Sequence, residues 1–218
     1  GSEMCIRDRL YTDLQLFPFS GLYVEASFYM IGGNMIYYKR YTGKLLSQKT
    51  AEQPSWVQWT HHSEGKTHCE ECLMLDGCWF QEENAPSCPH HPYCHCTLDP
   101  IPYAVVLMNT TSYSDYSKFD PYLFDPENTD RHGKNRAFES WGYSVSDSTW
   151  LKNQSEKQAL EKYLSGDYTL GKLDRRGQRI DIRVTIPRKG KSGSVSFITG
   201  WMLMPNGKLK LNTPYGVK

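Results

Sequence analysis

QRIDIRVTI, residues 178–186, sets Ile180, Ile182, Val184 and Ile186 against Arg179, Asp181, Arg183 and Thr185. A strict period of two is the pattern of a strand with one buried and one wet face. RKGKSG, residues 188–193, turns the chain into SVSFITGWMLM, residues 194–204, where Val195, Phe197 and Trp201 share a face. PNG, residues 205–207, turns it again into KLKLN, residues 208–212. Apolar alternation separated by Gly- and Pro-containing turns predicts an antiparallel meander. Its open face is expected to carry Arg179, Arg183, Lys208 and Lys210.

Two helices are predicted before the meander. The first runs from Arg131 to Trp141, with Ala137, Phe138 and Trp141 on one side and Gly142 placed to end it. The second runs from about Asp147 to Leu164 with Ser146 as cap and Gly166 after the last turn. Its stripe is Trp150, Leu151, Leu160, Tyr163 and Leu164; Ser155 with Gln158 also fits a capping box, which would break it near residue 154. Trp141, Trp150 and Trp201 are expected in the core. YAVVLMN, residues 103–109, reads as a short strand, and TTSYSDYSKFDP, residues 110–121, as polar linker.

Upstream, THCEECLMLDGCWFQEENAPSCPHHPYCHCTLDP, residues 67–100, concentrates six of the seven cysteines and four of the seven histidines. Cys69-x-x-Cys72 presents two thiolates to one tetrahedral ion, and His91-x-x-Cys94-x-Cys96 offers the other half. A structural zinc ion is the expectation, with Cys69, Cys72 and Cys94 as ligands and the fourth open between His91 and Cys96. Cys78, Cys88, His90 and His95 are spare candidates. A disulfide set is disfavoured by the odd cysteine count and the lack of an export signal. His68-x-Glu70 ahead of paired cysteines also evokes a zinc-dependent nucleobase deaminase, but Pro92-Tyr93-Cys94-His95-Cys96 does not have the Pro-Cys-x-x-Cys spacing. With little periodicity from Ser55 to Pro102, the segment is expected to be loop-rich and held by metal rather than by a core.

Charge separates these regions although the whole chain carries only +1. Residues 51–116 hold nine acidic side chains against Lys66 alone, net −8, while residues 170–218 hold eleven basic side chains against Asp174 and Asp181, net +9. The domains expected are a leader over residues 1–34, a Cys/His-rich zinc module over 35–109, a linker over 110–120 and a basic α+β domain over 121–218. GSE at the start resembles a tag remnant, MCIRDR resembles sequencing-adapter read-through found at the ends of metagenomic reading frames, and Met35 is the expected native start. No run reaches the roughly 18 apolar residues of a membrane span, so no membrane partner is expected.

CEECLMLDGCWF, residues 69–80, followed by CPHHPYCHCTLDPI, residues 88–101, resembles the terminal motif of phage head-morphogenesis proteins of the Mu F-like type. Cys69, Cys72, Asp76, Gly77, Phe80, His91, Pro92, Cys94 and Cys96 carry the match. Residues 117–218 resemble an uncharacterised domain at the ends of phage head proteins and polymorphic toxins. Their layout is similar to the barnase/EndoU/colicin/RelE-like nucleases, on His132-Gly133-Lys134 and Thr213-Pro214-Tyr215. The resemblances imply a prophage- or toxin-associated protein of the bacterial cytoplasm or the virion, with a phage capsid or an immunity protein as partner.

Metal-free RNA cleavage needs a base for the 2′-hydroxyl, an acid for the leaving oxygen, and cations where phosphorane charge develops. His132 is the one histidine outside the cysteine-rich half that titrates near neutrality. His132, Lys134, Thr213 and Tyr215 are therefore the catalytic candidates, and Arg136, Arg179, Arg183, Lys208 and Lys210 the phosphate-binding ones. The expected fold is α+β: a loop-rich zinc module, then two helices on an antiparallel meander that binds RNA or DNA and cleaves RNA. The competing expectation is a non-enzymatic phage structural or adaptor protein.

Overall fold

The computed structural model describes residues 24–31, 34–41, 54–62, 69–125, 127 and 133–216. The chain divides into two compact units, residues 1–52 and 53–218. In the first, β1 (Val24–Ile31) and β2 (Asn34–Tyr41) pair antiparallel, from Val24 opposite Tyr41 to Ile31 opposite Asn34. The expected leader thus includes a strand, and Met35 falls inside β2 opposite Met30.

The second unit is α+β and holds both the Cys/His-rich segment and the basic half. β3 (Trp56–Thr60), α1 (Glu70–Leu75), β4 (Trp79–Gln81), β5 (Thr97–Ile101) and α2 (Tyr103–Asn109) come first. β6 (Thr111–Tyr113), α3 (Lys134–Ser140), α4 (Ser148–Leu164), β7 (Thr169–Asp174), β8 (Gly177–Pro187), β9 (Ser194–Met204) and β10 (Lys208–Gly216) follow. The larger sheet has the order β6-β10-β9-β8-β7; β7 to β10 form the antiparallel meander, and β6 joins β10 in parallel. The smaller sheet, β4-β3-β5, is antiparallel throughout.

The alternation in β8 is realised as expected. Ile180, Ile182, Val184 and Ile186 are buried, as are Val195, Phe197, Trp201 and Leu203 on β9 and Leu209 and Leu211 on β10. Each such aliphatic side chain stabilises the fold by about 1.5–3 kcal/mol when fully removed from water. The Trp201 indole N–H donates to Thr199 Oγ1 at 2.8 Å, and Thr199 in turn donates to the Ile182 carbonyl at 2.9 Å. This buried polar pair is thereby satisfied.

Helix α4 covers that face with Ser148, Leu151, Ser155, Ala159 and Tyr163. Small side chains at three of these five positions let the helix axis come close to the sheet, which an apolar-stripe count does not register. Trp150 is correspondingly displaced: it is 39% exposed and stacks on Tyr143 at 5.5 Å instead of entering the core. The helix runs unbroken through residue 154. Ser144 and Asp147, not Ser146, make a capping box around the 3-10 turn Val145–Asp147 that precedes it. The first predicted helix begins at Lys134, after Gly133; Arg131 and His132 lie outside the described residues.

Three other expectations are corrected. YAVVLMN is helix α2, with Pro102 as its N-cap and Val106 its buried residue; Pro preorganises a helix start, and β-branched residues only weakly oppose it. The stretch 110–121 contributes β6 and a 3-10 turn at Tyr116–Lys118, and Ser112 donates to the Glu156 carbonyl of α4 at 2.7 Å. The Cys/His-rich segment has a core of its own residues, Trp56, Val57, Trp59, Cys72, Leu75, Cys78 and Phe80, continuous with the core under the meander.

That continuity is specific. Tyr163 donates its hydroxyl hydrogen to the Trp79 carbonyl, Gln81 Nε2 donates to the Leu164 carbonyl at 3.0 Å, and Asn206 N–H donates to the Gly77 carbonyl at 2.9 Å. Gly207, with φ +69°, turns β9 into β10 directly under Trp79; a Cβ there would lie 2.7 Å from the indole ring. Glycine is required for both the left-handed backbone and the close approach.

Candidate functional site

Cys69 caps α1 in extended conformation and Cys72 lies one turn later, so both thiols leave the same side of a short helix. The loop before β5 brings His91, Cys94 and Cys96. Cys94 N–H donates to the His91 carbonyl at 3.1 Å across a turn in which Tyr93 takes φ +63° and is 94% exposed. Cys72 Sγ lies 3.4 Å from His91 Nε2 and 3.7 Å from Cys94 Sγ. The ligand atoms of Cys69, Cys72 and His91 lie within 4.8 Å of one another, as do those of Cys72, Cys94 and Cys96. A tetrahedral site with metal–sulfur bonds of about 2.3 Å has sulfur–sulfur edges of about 3.8 Å. These groups can hold a metal ion, with Cys72 common to both.

The surroundings act differently on each ligand atom. His91 Nδ1 lies 2.8 Å from the Pro92 carbonyl, which can only accept, so Nδ1 carries the proton and Nε2 presents its lone pair to the sulfurs. Burial pushes the Cys72 thiol well up, and its hydrogen bonds with Cys96, Cys94 and Cys69 push it further. Burial also raises Cys94, but backbone hydrogen bonds at His90 and Cys96 together with hydrogen bonds to the Cys96 and Cys72 side chains outweigh it and bring that thiol down to about 6. Burial raises Cys96, while Trp59 opposes part of that shift. The fully buried Trp59 indole N–H makes no hydrogen bond of good geometry, and the Cys96 sulfur is the acceptor it approaches.

The spare candidates are engaged elsewhere. Cys78 is buried in the core and donates to the Met74 and Leu203 carbonyls; burial, aided by the Asp76 charge, raises its thiol to about 12. Cys88 donates to the Cys96 carbonyl at 3.1 Å, and His90 Nε2 contacts Glu71 at 2.9 Å. His95 is exposed and belongs to neither group. His68 lies outside the described residues, and Glu70 is exposed at the start of α1.

Of the catalytic candidates, Lys134 and Thr213 meet although 79 residues separate them: Lys134 Nζ donates to Thr213 Oγ1 at 3.2 Å and to Tyr122 OH at 3.1 Å. Thr213 Oγ1 donates to the Tyr215 carbonyl at 3.1 Å. The Tyr215 ring packs with Phe138, Trp141 and Phe197, so its aromatic face is structural. Tyr122, which sequence patterning did not single out, also lies 5.1 Å beneath the Lys134 ammonium by its ring centroid. His132 lies outside the described residues. The group gathers a cation and a phenol, donors of the kind that an anionic oxygen requires, while the Thr213 hydrogen goes to the Tyr215 carbonyl.

The phosphate-binding candidates divide by element. Arg179, Arg183, Lys208 and Lys210 project from the face of the meander opposite the Ile/Val/Trp core. Arg179 and Lys210 face each other across Met202, which pairs with both. Arg179 lies 3.6 Å from Asp174, and Asp181 belongs to the same face. Gly200 separates Asp181 from Thr213: a Cβ on it would lie 2.9 Å from Thr213 Cγ2 and 3.9 Å from Asp181 Oδ1. Arg136 is exposed on α3, away from this row of strands in sequence and element.

Among the described residues, no helix is long and apolar enough to cross a membrane. The family model described as "Domain of unknown function (DUF6883)" matches residues 109–218, from the end of α2 through the sheet. No curated protein and no solved structure matches the chain.

Proposed function

The chain belongs to the DUF6883 family, and from the geometry of that domain we propose that it binds nucleic acid on the open face of its meander. The observation that carries this reading is the register: Arg179 and Lys210 flank Met202 in one row across three strands, with Arg183 and Lys208 on the same face. A cationic face on a rigid sheet attracts phosphates independently of sequence. The test is the salt dependence of binding to a labelled oligonucleotide. Four phosphate contacts on a single strand give a slope of log K against log salt of about −3. An affinity that does not fall with salt sinks the proposal.

The metal in the Cys/His group is zinc, bound by Cys69, Cys72 and Cys94 and completed by His91 or Cys96. Thiolate and imidazole donors without a carboxylate suit a closed structural zinc site. Bound there, zinc supplies a tetrahedral crosslink between α1 and the loop before β5. Elemental analysis of purified protein finding one zinc per chain supports this; protein free of zinc, but folded, refutes it.

RNA cleavage is the activity the Lys134 group suits best. The Lys134 ammonium, held by the Thr213 and Tyr122 oxygens, can stabilise charge developing on a phosphorane, and His132 two residues before it is the base. Incubation of RNA with wild type, His132→Ala and Lys134→Ala decides this. Cleavage by wild type that falls at least about a hundredfold in both variants is the expected outcome; RNA left intact by wild type removes the enzymatic part and leaves binding.

A further inference from the structure

We propose that the open face of the meander is a platform for single-stranded nucleic acid, with Tyr113 as the ring on which an unpaired base stacks; this rests on the nucleic-acid reading of the same face. Tyr113 pairs with Lys210 in the parallel β6–β10 ladder, so Tyr113, Lys210, Met202 and Arg179 stand in one row across four strands. The side to which Tyr113 points follows from its neighbour. Ser112 donates to the α4 backbone, on the core side, and alternation sends Thr111 and Tyr113 to the other face. Tyr113 is 40% exposed, and among the described residues no other ring packs on it.

With strands about 4.8 Å apart, the row extends about 14 Å. It places an aromatic ring at one end, a lysine beside it, and an arginine at the other end beyond the almost buried Met202. A duplex hides the faces of its bases inside the stack, so a tyrosine exposed on the sheet can stack only on a base that is unpaired. Aromatic rings on a sheet, with cations tracking the backbone, take single strands by stacking plus phosphate contact. Lys208 and Arg183 extend the cationic track on either side of the row, and Asp181 limits it between Arg179 and Arg183.

The test is fluorescence anisotropy of the full chain with labelled 12-nucleotide 2′-O-methyl RNA, single-stranded DNA and the matching duplexes. The 2′-O-methyl strand keeps the measurement independent of cleavage. Single strands of either sugar should bind more tightly than duplex. Tyr113→Leu, which keeps an apolar side chain in the strand, should weaken single-strand binding by about five- to hundredfold and duplex binding little. Tyr113→Phe should restore single-strand affinity. Lys210→Ala should weaken both substrates and flatten the salt slope. Duplex bound as tightly as single strand, with Tyr113→Leu unchanged and the salt slope intact, overturns the stacking platform but spares the basic face. No salt-sensitive binding to any of the four probes overturns both.

Discussion

The Cys/His segment and the meander reach the same core by different chemistry. In the meander, period-two alternation over β8 and β9 commits whole rows of Ile, Val and Trp to one face, so many equivalent contacts share the stabilisation. In the Cys/His segment, β4 has three residues and α1 six. Its two tryptophans on β3 and its Phe80 are buried, but the return from Ser87 to Cys96 has no regular structure and only intermediate or exposed residues. That return is where His91, Cys94 and Cys96 sit. A metal ion held by these groups would fall where packing is thinnest, while the sheet, with packing to spare, can leave its other face open to a ligand.

The largest break in this comparison comes from the packed half. Trp201→Ala, at a fully buried side chain, should cost about 3–5 kcal/mol in urea denaturation, through the cavity and the lost indole hydrogen bond to Thr199 Oγ1. Because the two halves share one core, the Cys/His segment should unfold in the same transition; a separate, unmoved transition for residues 54–109 would contradict the continuous core. Next comes the metal. Cys72→Ser, which removes the thiol common to both ligand groups, should abolish metal retention and lower stability by about 3 kcal/mol, the effect of losing a ligand present at one hundred times its Kd. Cys88→Ala should leave metal content unchanged, because Cys88 donates to the Cys96 carbonyl and belongs to neither ligand group. Loss of metal from the Cys88 variant, or retention in the Cys72 variant, would reassign the ligands.

A smaller effect tests the seam between the halves. Tyr163→Phe removes the donor to the Trp79 carbonyl inside the core and should cost about 1–3 kcal/mol, with faster amide exchange in β3 and β4 than in β8 and β9. Equal acceleration everywhere would mean that the hydroxyl does not couple the two regions in particular.

The contrast also governs what could be read from the sequence. QRIDIRVTI was legible as strand β8 because every second residue is apolar, and the Cys69, Cys72, His91, Cys94, Cys96 set because metal chemistry fixes residue types at short spacing. β3 and β4 were not, since Trp56, Val57 and Trp59 of WVQWT and all of WFQ are buried, so neither alternates cleanly. Helix α2 was masked by Val105 and Val106, whereas α4 was legible as a helix and only its buried face was not, because that face includes Ser148, Ser155 and Ala159. Tyr122 and Tyr113 gave no signal because their roles depend on partners 12 and roughly a hundred residues away, Lys134 and Lys210, and contacts of that range leave no local pattern.

The smallest effect is at the periphery of the packed half, where acid should act. Burial pushes the Asp147 carboxyl up, but the hydrogen bonds and charge of Lys189, at 2.7 Å, and Ser144 outweigh it and hold the group below its ordinary range. A depressed folded value means that the stabilisation is complete above the unfolded value near 4 and is lost as pH falls through the folded one. Lys189→Met should therefore cost about 0.5–1 kcal/mol at neutral pH, discounted because the lysine is half exposed, and the difference from wild type should shrink below pH 4. Since Asp147 also closes the capping box on Ser144, Asp147→Asn should cost more than Lys189→Met at neutral pH. Equal losses would mean that the ion pair alone, without the cap, accounts for the carboxylate's role at the head of α4.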